Sequence, residues 1–120
     1  MANIRMSRIN SEIQKAIAEI VSNKMNNPDF DGLIISIIDV DTAADLSIAK
    51  VAVSVLSTDE MQRLIILELT KAKGFIRKEL GKMIRLKTLP DLEFYPDNSY
   101  QQGKRLMDLI DSVSKEVKDD

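Results

Sequence analysis

Apolar residues recur along this chain at two periods, and the switches between them lay out its elements. From about Ile4 to Lys24, the residues Ile9, Ile13, Ala16, Ile17, Ile20 and Val21 return every three or four positions. That spacing gathers one face of an α-helix. Arg5, Arg8 and Lys15 fall to one side of the stripe. Asn26-Asn27-Pro28-Asp29 ends the helix, because Pro cannot continue it and Asn favours turns. Leu33 to Val40 is a β-branched run entered through Asp31-Gly32, which predicts a strand. Both of its alternations are largely apolar, so the pattern leaves its inward face open. A polar connection, Asp41-Thr42-Ala43-Ala44-Asp45, leads to a second strand over roughly Leu46 to Leu56. There Ala49, Val51, Val53 and Val55 alternate with Lys50, Ala52 and Ser54, the pattern of a strand with one buried face. The short connection predicts an antiparallel hairpin.

Ser57-Thr58-Asp59-Glu60 is a helix-start signal, a hydroxyl or carboxylate ahead of Met61. The helix it opens runs to about Ala72. Leu64, Ile65, Ile66 and Leu67 make it apolar on more than one side, which predicts contacts on two sides. Gly74 interrupts the pattern without Pro or a polar loop, and predicts a bend, since Gly allows a sharp turn or a close approach of the backbone to something else. A helix from Phe75 to about Leu86 and a short strand over Leu89–Pro96 follow, the strand bounded by Pro90 and Pro96. Asp97-Asn98-Ser99 opens a last helix, with Leu106, Leu109, Ile110, Val113 and Val117 as its buried stripe. The order α-β-β-α-kink-α-β-α predicts an α+β fold, a small three-stranded sheet packed by helices on one face. The expectation is one domain over residues 1–120, with residues 117–120 frayed.

Charge changes the picture at one place. The chain carries a formal net charge of −2, yet Lys71 to Lys87 holds seven basic residues and the single acid Glu79. On a helical wheel with Arg77 at zero, Lys78, Lys82 and Arg85 fall within about 140° on one side. Ile76, Leu80, Met83 and Ile84 fall within about 100° of one another on the other side. The helix is expected to anchor by its apolar face and to present cations outward. Gly81 lies on the charged side, where a missing side chain would admit a phosphate backbone. Most charged helix faces are simply solvated. Here one acid cannot pair the cations at i,i+4, and Lys78 and Lys82 repel each other. A confined basic ridge on a slightly acidic chain points to a polyanion, nucleic acid above all. The bend at Gly74 reads either as part of that contact surface or as a helix corner set by packing alone.

Composition removes several other chemistries. With no Cys and no His, disulfides, thiolate metal sites and the usual general base are absent. Gly74 and Gly81-Lys82 do not have the spacing of a phosphate loop, and Met83 stands where Ser or Thr would be required. Asp39, Asp41 and Asp45 could gather a divalent cation, but a solubilising, turn-shaping role is the expectation. No metal, cofactor or small-molecule substrate is expected. The charged, amphipathic N-terminus resembles neither a signal peptide nor a membrane anchor, so a cytoplasmic monomer with no membrane contact is expected. Aromatic residues are few. Tyr95 and Tyr100 could stack on bases, yet nothing forms a platform, and structured RNA read by shape and backbone fits better than base-by-base readout. A protein–protein adaptor using the apolar helix around Leu64–Leu67 is the rival reading.

Several segments, in order and spacing, resemble the bacterial ribosome-binding factor A family. They are Arg8-Ile9, Asp45-Leu46 with Ala49-Lys50-Val51, the run Ala72 to Gly81, Leu86 with Leu89-Pro90, Leu92 with Phe94, and Asp97-Asn98-Ser99. The resemblance implies a type II KH-like fold in which an Ala-x-Gly bend, here Ala72-Lys73-Gly74, replaces the usual Gly-x-x-Gly loop. It further implies a non-enzymatic assembly factor that binds 16S rRNA on the free 30S subunit, supports late rRNA maturation and serves growth in the cold. A KH-type RNA binder unrelated to the ribosome is the alternative. The expected RNA contacts are Arg5, Arg8, Lys71, Lys73, Gly74, Arg77, Lys78, Gly81, Lys82, Arg85 and Lys87.

Overall fold

The apolar stripe of the first segment does form a helix. In the computed structural model, which describes residues 4–97 and 110, α1 spans Ile4–Glu19 and its end widens into π-type bonding over Ile20–Lys24. Ile13, Ile17 and Ile20 are fully buried. After a single 3-10 turn at Pro28–Phe30, capped by the Asn27 side chain, the chain passes through Gly32 at φ +77° into β1, Ile35–Thr42. β2 is Ile48–Val55 and β3 is Asp91–Pro96. The sheet order is β1-β2-β3, with β1 and β2 antiparallel and β2 and β3 parallel. A parallel pair needs a long crossover, and two helices supply it: α2, Asp59–Lys71, and α3, Lys73–Met83.

The open question of the first strand has a structural answer. Ile37 pairs with Val53 but Asp39 pairs with Ala52, so Ile38 is an extra residue in a β-bulge. Before the bulge Ile37 points inward; after it Val40 and Thr42 do. The strand changes phase in its middle, and no single alternation could describe it. The core lies between the inner sheet face (Ile37, Val40, Ala49, Val51, Val53, Val55, Leu92, Phe94) and the apolar stripes of α1, α2 and α3. Each buried aliphatic side chain of this kind contributes about 1.5–3 kcal/mol.

Three expectations need correction. Among the described residues α2 packs on one side: Ile65 and Leu69 are buried, while Leu64 and Leu67 are exposed. Four consecutive apolar residues cannot all face one way on a helix, and here the surplus faces outward. α3 ends at Met83, not at Leu86, because Ile84 takes extended dihedrals (φ −131°, ψ 150°). Ile84 and Leu86 then pack against the core as an extended segment. The expected last helix lies outside the described residues except for Ile110, which is helical and exposed rather than part of a buried stripe.

Candidate nucleic-acid interface

The bend belongs to Ala72, not to Gly74. Ala72 joins α2 to α3 at φ −90°, ψ 6°, and its N–H is shared between the carbonyls of Glu68 and Leu69, both at 3.1 Å. Ile76 N–H still donates to Ala72 O at 3.0 Å, so the two helices are nearly continuous. Gly74 lies within α3 and is not among the positive-φ residues of the described chain. A Cβ built there would meet nothing within 4 Å. Neither backbone strain nor internal packing therefore requires glycine at this place.

The basic residues divide into three groups. Gly74, Lys78 and Lys82 follow at i, i+4, i+8 on the exposed side of α3, with Lys71 at the end of α2 before them. These form an outward ridge roughly 16 Å long at 1.5 Å per residue. Ile76 and Leu80 anchor it from beneath. Lys82 Nζ stands 3.5 Å from Glu79 Oε2, an exposed i,i+3 pair of little energetic weight. Phe75 sits on the same ridge beside Gly74 and is 40% exposed. Sequence reasoning passed over it as the first apolar residue of a helix; the signal was its wheel position on the Lys78–Lys82 side, well away from Leu80.

The second group turns toward β3. Arg77 does not offer its guanidinium outward as the wheel suggests. Its Nε donates to Pro90 O at 3.1 Å and its Nη2 to Leu89 O at 2.7 Å. Gly81 is likewise not an opening for a phosphate: a Cβ there would come within 2.8 Å of Leu89 Cδ1. Its missing side chain makes room for Leu89. Lys73 Nζ lies 3.6 Å from Asp91 Oδ1. The third group lies along α1. Arg85 is not on the helical face at all; it follows the end of α3 and lines a cleft with Glu12 and Lys15. Lys87 lines another with Arg5 and Asp45. Arg8 is exposed on α1.

The opposite side of the sheet is acidic. Asp39, Asp41 and Glu93 point outward from β1 and β3, and only Lys50 from β2 stands among them with opposite charge in those rows. Tyr95, paired across Ala52 with Asp39, has its phenol pushed above the ordinary tyrosine range, first by burial and then by Asp39, Asp41, Asp97 and Glu93. Asp45 has its own task in the hairpin turn, where its carboxylate accepts the Ser47 N–H at 3.0 Å and is held below the usual range chiefly by that residue. The three aspartates form no metal-binding group among the described residues. No helix of the described residues is long and apolar enough to cross a membrane.

Comparison with known proteins bears on the family and the fold. The sequence model of the family described as ribosome-binding factor A matches residues 5–110. Ribosome-binding factor A of Clostridium botulinum, strain Okra, is 32% identical over 120 residues, covering 100% of this chain and 99% of that protein; the Loch Maree strain protein gives the same values. A solution NMR structure of a Thermotoga maritima protein, proposed as a ribosome binding factor A, superposes with TM-score 0.68 at 31% identity over 79% of this chain and 89% of that one. The crystal structure of ribosome-binding factor A from Thermus thermophilus gives TM-score 0.65 at 23% identity over 76% and 94%. These neighbours carry the KH-like α+β fold, as this chain does, and in this chain the junction between α2 and α3 is Ala72. With the family pattern matched from Arg5 to Ile110 and full-length relatives at this identity, the chain belongs to the ribosome-binding factor A family.

Proposed function

We propose that this protein is a non-enzymatic factor that binds the free 30S subunit through 16S rRNA and supports late maturation of that RNA in the cytoplasm. The observation that carries the reading is the ridge Lys71, Gly74, Phe75, Lys78 and Lys82. It holds cations on a rigid, anchored helix beside a backbone position that nothing among the described residues covers. Cations so held can meet successive phosphates of a folded RNA. Gly74 lets the RNA backbone come close, and Phe75 offers one face on which an unpaired base can stack. Family membership supports the ribosomal target, and a Thermus thermophilus homology model of the same fold has been fitted into a cryo-EM map of a 30S–RbfA complex. The adaptor reading keeps one specific support, the exposed Leu64 and Leu67, but those residues bring no charge complementarity for RNA.

Co-sedimentation with purified 30S subunits and 70S ribosomes tests the proposal. The unaltered chain is expected to travel with 30S and not with 70S. Contact through about five phosphates gives a log–log salt slope near −3.5 to −4.5. Lys78→Glu combined with Lys82→Glu is expected to abolish association without changing the circular dichroism spectrum. A folded double variant that still sediments with 30S, or a flat salt dependence, would remove the ridge as the contact surface and favour the adaptor.

A further inference from the structure

The segment after α3 does not cross open space. Ile84 and Leu86 pack half-buried against the core, which leaves Arg85 between them and Lys87 after them exposed, the alternation of an extended chain. Arg85 shares a cleft with Lys15 of α1, and Lys87 shares one with Arg5 near the start of the same helix. The segment therefore runs antiparallel along α1. Arg5, Arg8 and Lys15 lie within about 80° of one another on the α1 wheel, and Arg5 and Lys15 are about 15 Å apart along its axis. The opposite side of α1 is locked in rotation. Gln14 Nε2 donates to the carbonyls of Ile37 (3.0 Å) and Ile38 (3.2 Å), and Asn10 Oδ1 accepts the Thr42 N–H at 3.0 Å. The far end of the segment is pinned as well, by the Arg77 fork onto Leu89 O and Pro90 O and by Leu89 seated over Gly81. Glu12 and Asp45 are the acids in the two clefts, against four cations, and Asp45 is engaged by Ser47.

We propose that the groove between α1 and residues 84–88 is a second track for the RNA phosphate backbone, that Lys15 is a contact in it, and that Arg77 is the positioning residue that holds its far wall. The proposal rests on the RNA-binding reading above and extends it to a face that the α3 ridge does not include. An arginine fork spans two carbonyls in a way that a lysine ammonium cannot. Its charge is then incidental to RNA binding, while its geometry is not.

Lys15→Gln and Arg85→Gln test the track, read by 30S association and by binding to a plain RNA duplex over a salt series. Each is expected to weaken binding about three- to tenfold and to make the salt slope shallower by about 0.7–0.9. Arg77→Lys, which keeps the charge, is expected to weaken binding as much as Arg77→Gln, and Arg85→Gln is expected to cost less in the Arg77→Lys background than in the unaltered chain. Unaltered affinity and slope for both Lys15→Gln and Arg85→Gln would overturn the track. An Arg77→Lys variant that binds like the unaltered chain would overturn the positioning role. If the unaltered chain bound duplex RNA but not 30S, the proposed function would fall while the slope differences on RNA still decided the track.

Discussion

Two glycines show how differently one residue type can be used. Gly32 stands at φ +77°, with nothing within 4 Å of the place that a methyl group would take. Its need for glycine is purely conformational, and Gly32→Ala is expected to cost about 1–2 kcal/mol. Gly74 has no such need. It is helical, and open space surrounds the place of its missing Cβ. Gly74→Ala is therefore expected to stabilise the isolated protein by about 0.5–1 kcal/mol while weakening 30S association. Thermal melting and co-sedimentation on the same preparation check both halves. A variant that gains stability with unchanged binding would take Gly74 off the contact surface. The sequence pattern marked Gly74 correctly as unusual within a helix. It placed the bend there because a glycine is the visible interruption, whereas the turn is made by the ordinary dihedrals of Ala72.

At the scale of elements, the periods along the chain located the three α-helices and three strands among the described residues, though not the 3-10 turn at Pro28–Phe30, and the short connection implied the antiparallel hairpin but not the parallel pairing of β3 with β2. What stayed illegible has physical causes. A bulge at Ile38 reverses the phase of β1, and no residue type announces it. α3 stops at Met83 without Gly or Pro, and beyond it Ile84 turns extended and, with Leu86, packs half-buried against the core. The basic ridge on α3 was legible from the wheel. The diversion of Arg77 and Gly81 toward Leu89 was not, since it depends on where β3 returns. Gln62 shows a further coupling between elements. It is buried in α2, and its Oε1 accepts the N–H of Val55 at 3.2 Å, closing the end of β2. Gln62→Leu fits the same space but strands that N–H, a loss of about 1–3 kcal/mol, read as a lowered denaturant midpoint at unchanged slope.

At the scale of the fold, two helical surfaces and the outer sheet face carry opposite charge among the described residues. The α3 ridge and the α1 groove are basic, while Asp39, Asp41 and Glu93 mark the outer sheet face. A polyanion is attracted to one side and repelled from the other, so the charge distribution governs orientation as well as affinity. Neutralising the sheet acids with Asp39→Asn, Asp41→Asn and Glu93→Gln is expected to raise affinity for unstructured RNA several-fold and to narrow the preference for 30S. Net charge alone would produce part of that gain. A second triple variant, Glu60→Gln, Asp29→Asn and Asp31→Asn, removes the same charge from exposed sites off the sheet, the α3 ridge and the α1 groove, and measures that part. The chain has no Cys, so a single Ser36→Cys on the sheet face takes a photo-crosslinker cleanly. RNA crosslinks from Ser36→Cys are expected to be scarce in the unaltered background and to appear only when the sheet acids are neutral. Equal crosslinking in both backgrounds would mean that RNA already lies on the sheet, and that its acids do not set the orientation of the protein.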